Sequence, residues 1–271
     1  MRLFTAAFIG LFLFASCSRF SKVMKSNDYD YKLRMADKYY EAKDYNHAQQ
    51  LFEELFRVFK GSEHFEDIYY KFAYCAYYLK DYPNAENLFK GFVEVFPNSN
   101  KAEEMDYMRA YTFYMQSPKV ELDQTNTTKT IGFMQAFINT HPGSDKIKEA
   151  NDIIEKCRAK LELKDFLSAQ LYFDLGYYRA AGVALTSLMN SYPDSEKSDQ
   201  YKYLIIKSDF QYAELSVFEK QEERYDNVVT QCNEFMDRFP DSRLKTEVRE
   251  YLTSAQNNLK TFKNEQTKKA S

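Results

Sequence analysis

The sequence predicts an all-α chain of stacked helix pairs, and three observations carry that expectation. The first is a recurring ending: Pro97-Asn98-Ser99, Pro142-Gly143-Ser144, Pro193-Asp194-Ser195 and Pro240-Asp241-Ser242, with Lys60-Gly61-Ser62 as a degenerate first copy. An aromatic residue or a histidine stands before each one: Phe59, Phe96, His141, Tyr192 and Phe239. The second is a recurring beginning, Lys43-Asp44-Tyr45-Asn46-His47-Ala48, then Lys80-Asp81-Tyr82-Pro83-Asn84-Ala85, then Gly176-Tyr177-Tyr178-Arg179-Ala180-Ala181. The third is a scarcity of breakers: 7 Gly and 6 Pro in the whole chain, with nearly every proline at a segment boundary.

The stretch from Lys80 to Ser99 shows how one unit is written. Asp81 stands where an N-cap would, and Pro83 suits the first turn, where a missing N–H costs nothing. Ala85, Leu88, Phe89, Phe92 and Phe96 recur at three- and four-residue spacing and so share one face. Pro97 ends the helix, because the residue before a proline is pushed out of the α region. Ser99 can cap the next helix. One such helix cannot bury its apolar face alone. Twelve residues before the repeated alanines lie Ala36, Ala73 and Ala169, small residues that let two helices approach closely. This pattern resembles the tetratricopeptide repeat, a helix–turn–helix of about 34 residues. The expected fold is therefore a right-handed tetratricopeptide-repeat superhelix of about five helix pairs with a C-terminal capping helix. Copies spaced more widely than the standard repeat must carry longer helices or inserted loops.

Taken in order, residues 1–17 read as a targeting segment. Arg2 supplies the positive start, Leu3 to Phe14 is an apolar run too short for a comfortable membrane span, and Phe14-Ala15-Ser16-Cys17 resembles a bacterial lipobox. Cys17 is then the lipidated first residue of the mature protein, and two or three acyl chains give stable anchoring. Ser18, rather than Asp, follows it, which suggests transfer to the outer membrane. Residues 18–28 read as a tether. Repeats are expected over about 29–62, 63–99, 100–144, 145–195 and 196–242, with a cap at 243–262 and a polar tail at 263–271. The third repeat is interrupted by the polar stretch Ser117 to Asn126. The fourth is expected to open with a separate amphipathic helix, Lys146 to Lys160, before continuing from Phe166 to Tyr192. The fifth has helices at about Asp199 to Phe218 and Arg224 to Phe239.

Composition sets limits on function. Apolar content of 44% with 28% charged residues suits a folded chain, and a net charge of −3 without a concentrated basic face argues against nucleic acid as a partner. After Cys17, the three cysteines Cys75, Cys157 and Cys232 match no metal or redox spacing and read as buried thiols. His47, His64 and His141 are scattered, and no catalytic, phosphate-binding or metal motif stands out. Neither an enzyme nor a bound cofactor is expected. The aromatic inventory is unusual: 23 Tyr and 23 Phe with no Trp.

Together the lipobox and the repeats resemble the BamD family, lipoproteins of the outer-membrane β-barrel assembly machinery, over about residues 30–242. Two stretches carry the resemblance most closely. One is Met105-Asp106-Tyr107-Met108-Arg109-Ala110 with Leu122-Asp123-Gln124-Thr125 and the Thr140-His141-Pro142-Gly143-Ser144 ending. The other is Ala169-Gln170-Leu171-Tyr172-Phe173 with the beginning at Gly176 and the ending at Ser195. The chain departs from the family at Lys60, where Pro is usual, in its long fifth repeat and at Phe14 of the lipobox. The resemblance implies a non-catalytic lipoprotein facing the periplasm from the outer membrane. Its C-terminal repeats would bind the POTRA region of the BamA-like barrel subunit, and its N-terminal repeats would receive unfolded outer-membrane proteins. The competing reading is a periplasmic repeat adaptor for cell-envelope or peptidoglycan machinery.

The resemblance also frames a candidate site. In such repeats the first helix of each pair lines the concave face through its second, fifth, ninth, twelfth and thirteenth residues. Counting from Glu66 places Tyr70, Tyr74, Tyr77 and Tyr78 at the last four of these positions. Counting from Glu103 places Tyr107, Tyr111, Tyr114 and Met115 there. Either these rings form a groove for an extended aromatic peptide or they pack between helices.

Overall fold

The computed structural model describes residues 19–270. The targeting segment and the lipidation residue Cys17 lie outside the described residues. Helix α1, of which residues 19–24 are described, precedes eleven helices: α2 (Tyr29–Glu41), α3 (Tyr45–Val58), α4 (Phe65–Tyr78), α5 (Tyr82–Val95), α6 (Ala102–Met115), α7 (Thr125–Thr140), α8 (Ile147–Asp174), α9 (Tyr178–Ser191), α10 (Ser198–Glu214), α11 (Phe218–Arg238) and α12 (Lys245–Ala270). No strand occurs among the described residues. The chain has the all-α tetratricopeptide-repeat fold.

The repeated beginnings and endings each have a local cause. At Lys43, Lys80 and Gly176 the backbone turns left-handed, with φ of 60°, 63° and 79°. The following N–H then reaches back over the preceding helix end, from Asp44 to Tyr39, Asp81 to Ala76 and Tyr177 to Tyr172. That is a Schellman closure, which satisfies carbonyls the helix leaves open. Asp44 caps α3 by accepting the His47 N–H, whereas Asp81 occupies the N-cap position of α5 without making a side-chain cap bond. Pro83 does lie in the first turn of α5. At the endings each serine hydroxyl accepts a backbone N–H two residues on, from Lys101, Lys146, Lys197 and Leu244. The same hydroxyls donate to Glu66, Glu103, Glu162 and Asp199 on the first helix of the repeat just completed.

Two compact units divide the chain between Arg158 and Ala159, inside α8. In the first unit, the cores alternate along the stack. Leu51, Phe52 and Leu55 of α3 pack with Ala36 and Cys75. Phe89 and Phe92 of α5 pack with Ala73, Tyr74 and Met105. Met134 and Phe137 of α7 pack with Ala110 and with Ile153, Ile154 and Cys157 of α8. Contacts between successive first helices repeat at 34 residues: Lys71 to Asp37, Lys101 to Asp67 and Tyr70 to Glu104. Equivalent positions such as Ala36 and Ala73 are 37 residues apart, so each contact joins places offset by about one helical turn in neighbouring repeats. In the second unit, Ala169, Leu185, Leu188 and Tyr201 form one core, and Val228, Cys232, Phe235, Val248 and Ala255 form the next. Cys75, Cys157 and Cys232 are buried, as expected.

Three expected boundaries moved. α8 is a single helix of 28 residues, not two. Leu161-Glu162-Leu163-Lys164-Asp165 contains no glycine or proline, so nothing interrupts the helical hydrogen bonding. α10 ends at Glu214 and α11 begins at Phe218, earlier than expected. α12 continues to Ala270, past Phe262. The polar insertion after α6 is an ordered loop. Gln124, only 7% exposed, donates to the carbonyls of Lys119 and Leu122 and accepts from Thr127, whose hydroxyl also meets Ser117.

Candidate functional site

The seven tyrosines named from the sequence all lie in the first unit, on α4 and α6, and their rings form a connected network. Tyr70 and Tyr74 have ring centroids 4.8 Å apart, Tyr74 and Tyr78 5.7 Å, and Tyr77 and Tyr78 5.5 Å. Tyr77 reaches across to Tyr111 at 6.4 Å, and Tyr111 lies 5.9 Å from Tyr107 and 5.7 Å from Tyr114. At the other edge Tyr78 stacks on Tyr45 of α3 at 4.4 Å. Four- and three-residue spacing therefore does align each set on one helix face.

Burial divides the set in two. Tyr74 and Tyr107 are 6% and 4% exposed and belong to hydrophobic cores. Tyr70, Tyr77, Tyr111 and Tyr114 are half-buried, while Tyr78 and Met115 are exposed. The ninth place counted from Glu66 and the fifth counted from Glu103 thus form a floor beneath a more accessible rim. The cause is geometric: the ring at each floor position meets the second helix of its own repeat, Tyr74 touching Phe89 and Tyr107 touching Phe137.

A second pattern, not singled out in the sequence, fastens these phenols. The Tyr70 and Tyr74 hydroxyls both donate to the Glu104 carboxylate. The Lys101 ammonium lies 4.6 Å from the Tyr70 ring centre. One repeat later, Lys146 lies 5.4 Å from the Tyr107 ring centre. The Tyr107 hydroxyl is buried without a hydrogen-bond partner among the described residues, although the Glu149 carboxylate is near enough to disfavour its ionisation. Lys101 with Glu104, and Lys146 with Glu149, occupy matching places just after Ser99 and Ser144. That spacing was the available signal. Burial, then Glu104, pushes Tyr70 up to about 12, and burial, then Tyr111, pushes Tyr77 up to about 12. Tyr74 is raised further by burial and its bond to Glu104. Tyr70, Tyr74, Tyr77 and Tyr107 are therefore protonated at neutral pH. They can donate hydrogen bonds and present apolar faces, but they offer no phenolate nucleophile.

The family profile of YfiO, described as outer membrane lipoprotein, matches residues 31–212. The chain belongs to this family. The YfiO match takes in the whole tyrosine network and reaches into α10. YfiO proteins are BamD-like outer membrane lipoproteins, and the repeat scaffold of this member is of the kind that binds other proteins. No curated protein matches the chain significantly. Two solved structures are similar to it: the TPR2AB-domain:pHSP90 complex of yeast Sti1 and the TPR domain of P58(IPK). The first has 14% identity and a TM-score of 0.41 over 86% of this chain and 84% of that one. The second has 14% identity and a TM-score of 0.41 over 89% of this chain and 68% of that one. Assignment of this YfiO-family chain to the repeat fold rests on its own successive helix pairs and serine-closed endings.

Proposed function

We propose that this chain is a non-catalytic scaffold lipoprotein of outer-membrane β-barrel protein assembly. It is anchored through acyl chains on Cys17 and faces the periplasm. Its C-terminal repeats bind the POTRA region of a BamA-like barrel subunit. Its first unit receives unfolded outer-membrane proteins on the tyrosine rim. The partner assignments follow from membership of the family and from the resemblance in the third and fourth repeats.

The observation that carries the receiving role is the two-level tyrosine surface: partly exposed Tyr70, Tyr77, Tyr111 and Tyr114 beside exposed Tyr78, seated on buried Tyr74 and Tyr107. A phenol combines a large apolar face with a polar tip, and few torsions have to be ordered when it makes contact. A barrel strand that has not yet paired offers aromatic side chains together with open backbone donors and acceptors. Rings already locked by neighbours lose little further freedom on binding. Protonated phenols also suit recognition rather than chemistry.

The test is isolation of the protein from membranes in gentle detergent, together with affinity for a peptide from the terminal strand of a barrel substrate. Recovery of a BamA-like barrel subunit supports the assembly role. Recovery of peptidoglycan enzymes in its place overturns it. Substituting the exposed Tyr78 with Ala should weaken peptide binding with little loss of stability, and unchanged affinity would remove the rim as the receiving surface.

A further inference from the structure

Helix α1 grips the first repeat with one side and turns a basic side outward. The Phe20 ring lies 4.0 Å from the His47 ring and 5.7 Å from the Tyr39 ring. Val23 is 2% exposed and packs with Ala36, Ala48, Leu51 and Phe52, with Met24 beside it. The connection to α2 is fastened too: the Ser26 hydroxyl accepts the Asp28 N–H, and Asp28 accepts the Tyr31 N–H to cap α2. The first repeat therefore holds the chain from Phe20 onward. The other side of α1 carries Arg19, Lys22 and Lys25, all exposed. Three-residue spacing makes them neighbours there. No acid occurs from residue 18 to residue 27, so this stretch carries three positive charges in a chain whose net charge is −3.

Position along the chain limits what this side can meet. Cys17 precedes Arg19 by two residues, which span at most about 7 Å whatever path they take. Acyl chains on Cys17 would lie in the membrane hydrocarbon, and the polar layer over it is about 5–8 Å deep in each leaflet. Arg19 is thereby confined to the headgroups or their edge. Lys22 and Lys25 follow within about 9 Å along the helix, close to the roughly 8 Å over which charge is felt in physiological salt. The apolar side cannot enter the bilayer, because Phe20 and Val23 are already packed on α2 and α3. The basic side remains. At the same end of the repeat Asp44 is engaged by the His47 ring at 2.6 Å, and exposed Glu41 is offset by exposed Lys38 and Lys43. A folded partner would need a gap of at least one helix diameter, about 10 Å, which a two-residue link does not leave at Arg19.

We propose that Arg19, Lys22 and Lys25 form a contact surface for anionic phospholipid headgroups, which holds the first repeat directly against the leaflet. The proposal takes its geometry from acylation of Cys17, as read above, and goes beyond it. Acyl chains by themselves fix where the protein is attached, whereas a charged side fixes which face of the first repeat is turned to the lipid. Each cation near an anionic leaflet adds attraction, and a basic patch is a second signal alongside the acyl chains.

The chain contains no Trp, so Ser21→Trp places a single reporter on the outer side of α1. The protein isolated from membranes is weighed at its N-terminus and reconstituted into vesicles of phosphatidylcholine, alone or mixed with phosphatidylglycerol, that contain brominated phospholipid. Bromine should quench the reporter in the mixed vesicles. K22E/K25E should reduce that quenching about twofold or more, high salt should also reduce it, and the unfolding midpoint should not move. A reporter at Val95→Trp, exposed in the last turn of α5, should stay unquenched. Equal quenching in the two kinds of vesicle, or with and without K22E/K25E, overturns the proposal. So does a lowered midpoint in K22E/K25E, which would mean that the lysines serve the fold. The mass separates the two readings: an acylated chain without quenching removes the α1 surface and keeps the anchor. Quenching of an unacylated chain in mixed vesicles alone removes the anchor and keeps the surface.

Discussion

The Ser99 hydroxyl donates to the Glu66 carboxylate at 2.6 Å while accepting the Lys101 N–H at 3.0 Å. One side chain thereby closes one repeat and starts the next, which explains why serine recurs at the endings. Glu162 differs from Glu66 in one respect: Tyr201 also donates to it, at 2.7 Å. Ser99→Ala should cost about 1–2 kcal/mol, because it removes both a partly buried charged hydrogen bond and a backbone acceptor. Ser195→Ala should cost less, since Glu162 keeps a partner. Urea denaturation of the two variants checks the order.

Left-handed turns predict opposite effects at equivalent places. Gly176 has φ of 79°, and its Ala variant should lose about 1–2 kcal/mol from the left-handed penalty. Lys80, at φ of 63°, should gain up to about 1 kcal/mol when replaced by Gly. Thermal midpoints that move in the same direction for both would contradict the shared turn.

Floor and rim tyrosines should separate in experiment. Tyr74→Ala empties a buried site and should cost about 3–5 kcal/mol. Tyr78, 45% exposed and stacked on Tyr45, should cost no more than about 1 kcal/mol on truncation. Denaturation midpoints read the first effect, and peptide affinity at constant fold reads the second.

Alkaline pH should loosen the first unit. Tyr70 and Tyr77 are raised from 10.0 to about 12 by burial first, then by Glu104 and Tyr111 respectively. A group whose folded pKa is raised contributes stability that is intact below its unfolded value and is lost as pH rises through the folded one. Stability should therefore hold up to about pH 10 and fall between 10 and about 12. Phenolate absorbance should show these two tyrosines titrating late in the folded protein and normally in urea. A single ordinary titration in the folded state would contradict the arrangement.

Cys17→Ser should abolish acylation and leave the protein uncleaved or misplaced, by the lipobox reading of Ala15-Ser16-Cys17. Membrane fractionation with mass measurement of the N-terminus decides it. A mature, lipid-modified product from the variant would rule that reading out.

The sequence by itself determined the local grammar of this protein. Pro-x-Ser endings, Lys-Asp-Tyr beginnings and apolar residues at three- and four-residue spacing specify caps, turns and faces, all of which depend on residues close along the chain. That is why helix pairs, buried cysteines and the membership of Tyr70 through Tyr114 in shared faces could be read directly. Tertiary structure decided whatever depends on which helix lies opposite. Tyr74 and Tyr78 are alike in sequence, yet Phe89 covers the first and the second stays exposed. Glu104 meets Tyr70 and Tyr74 from one repeat away, a distance that no local pattern records. The joining of Lys146–Lys160 to Phe166 in one helix needed only the absence of a breaker. The 58% exposure of Leu171 on that helix was not legible in the same way, because burial is set by what packs against a side chain and not by its own identity.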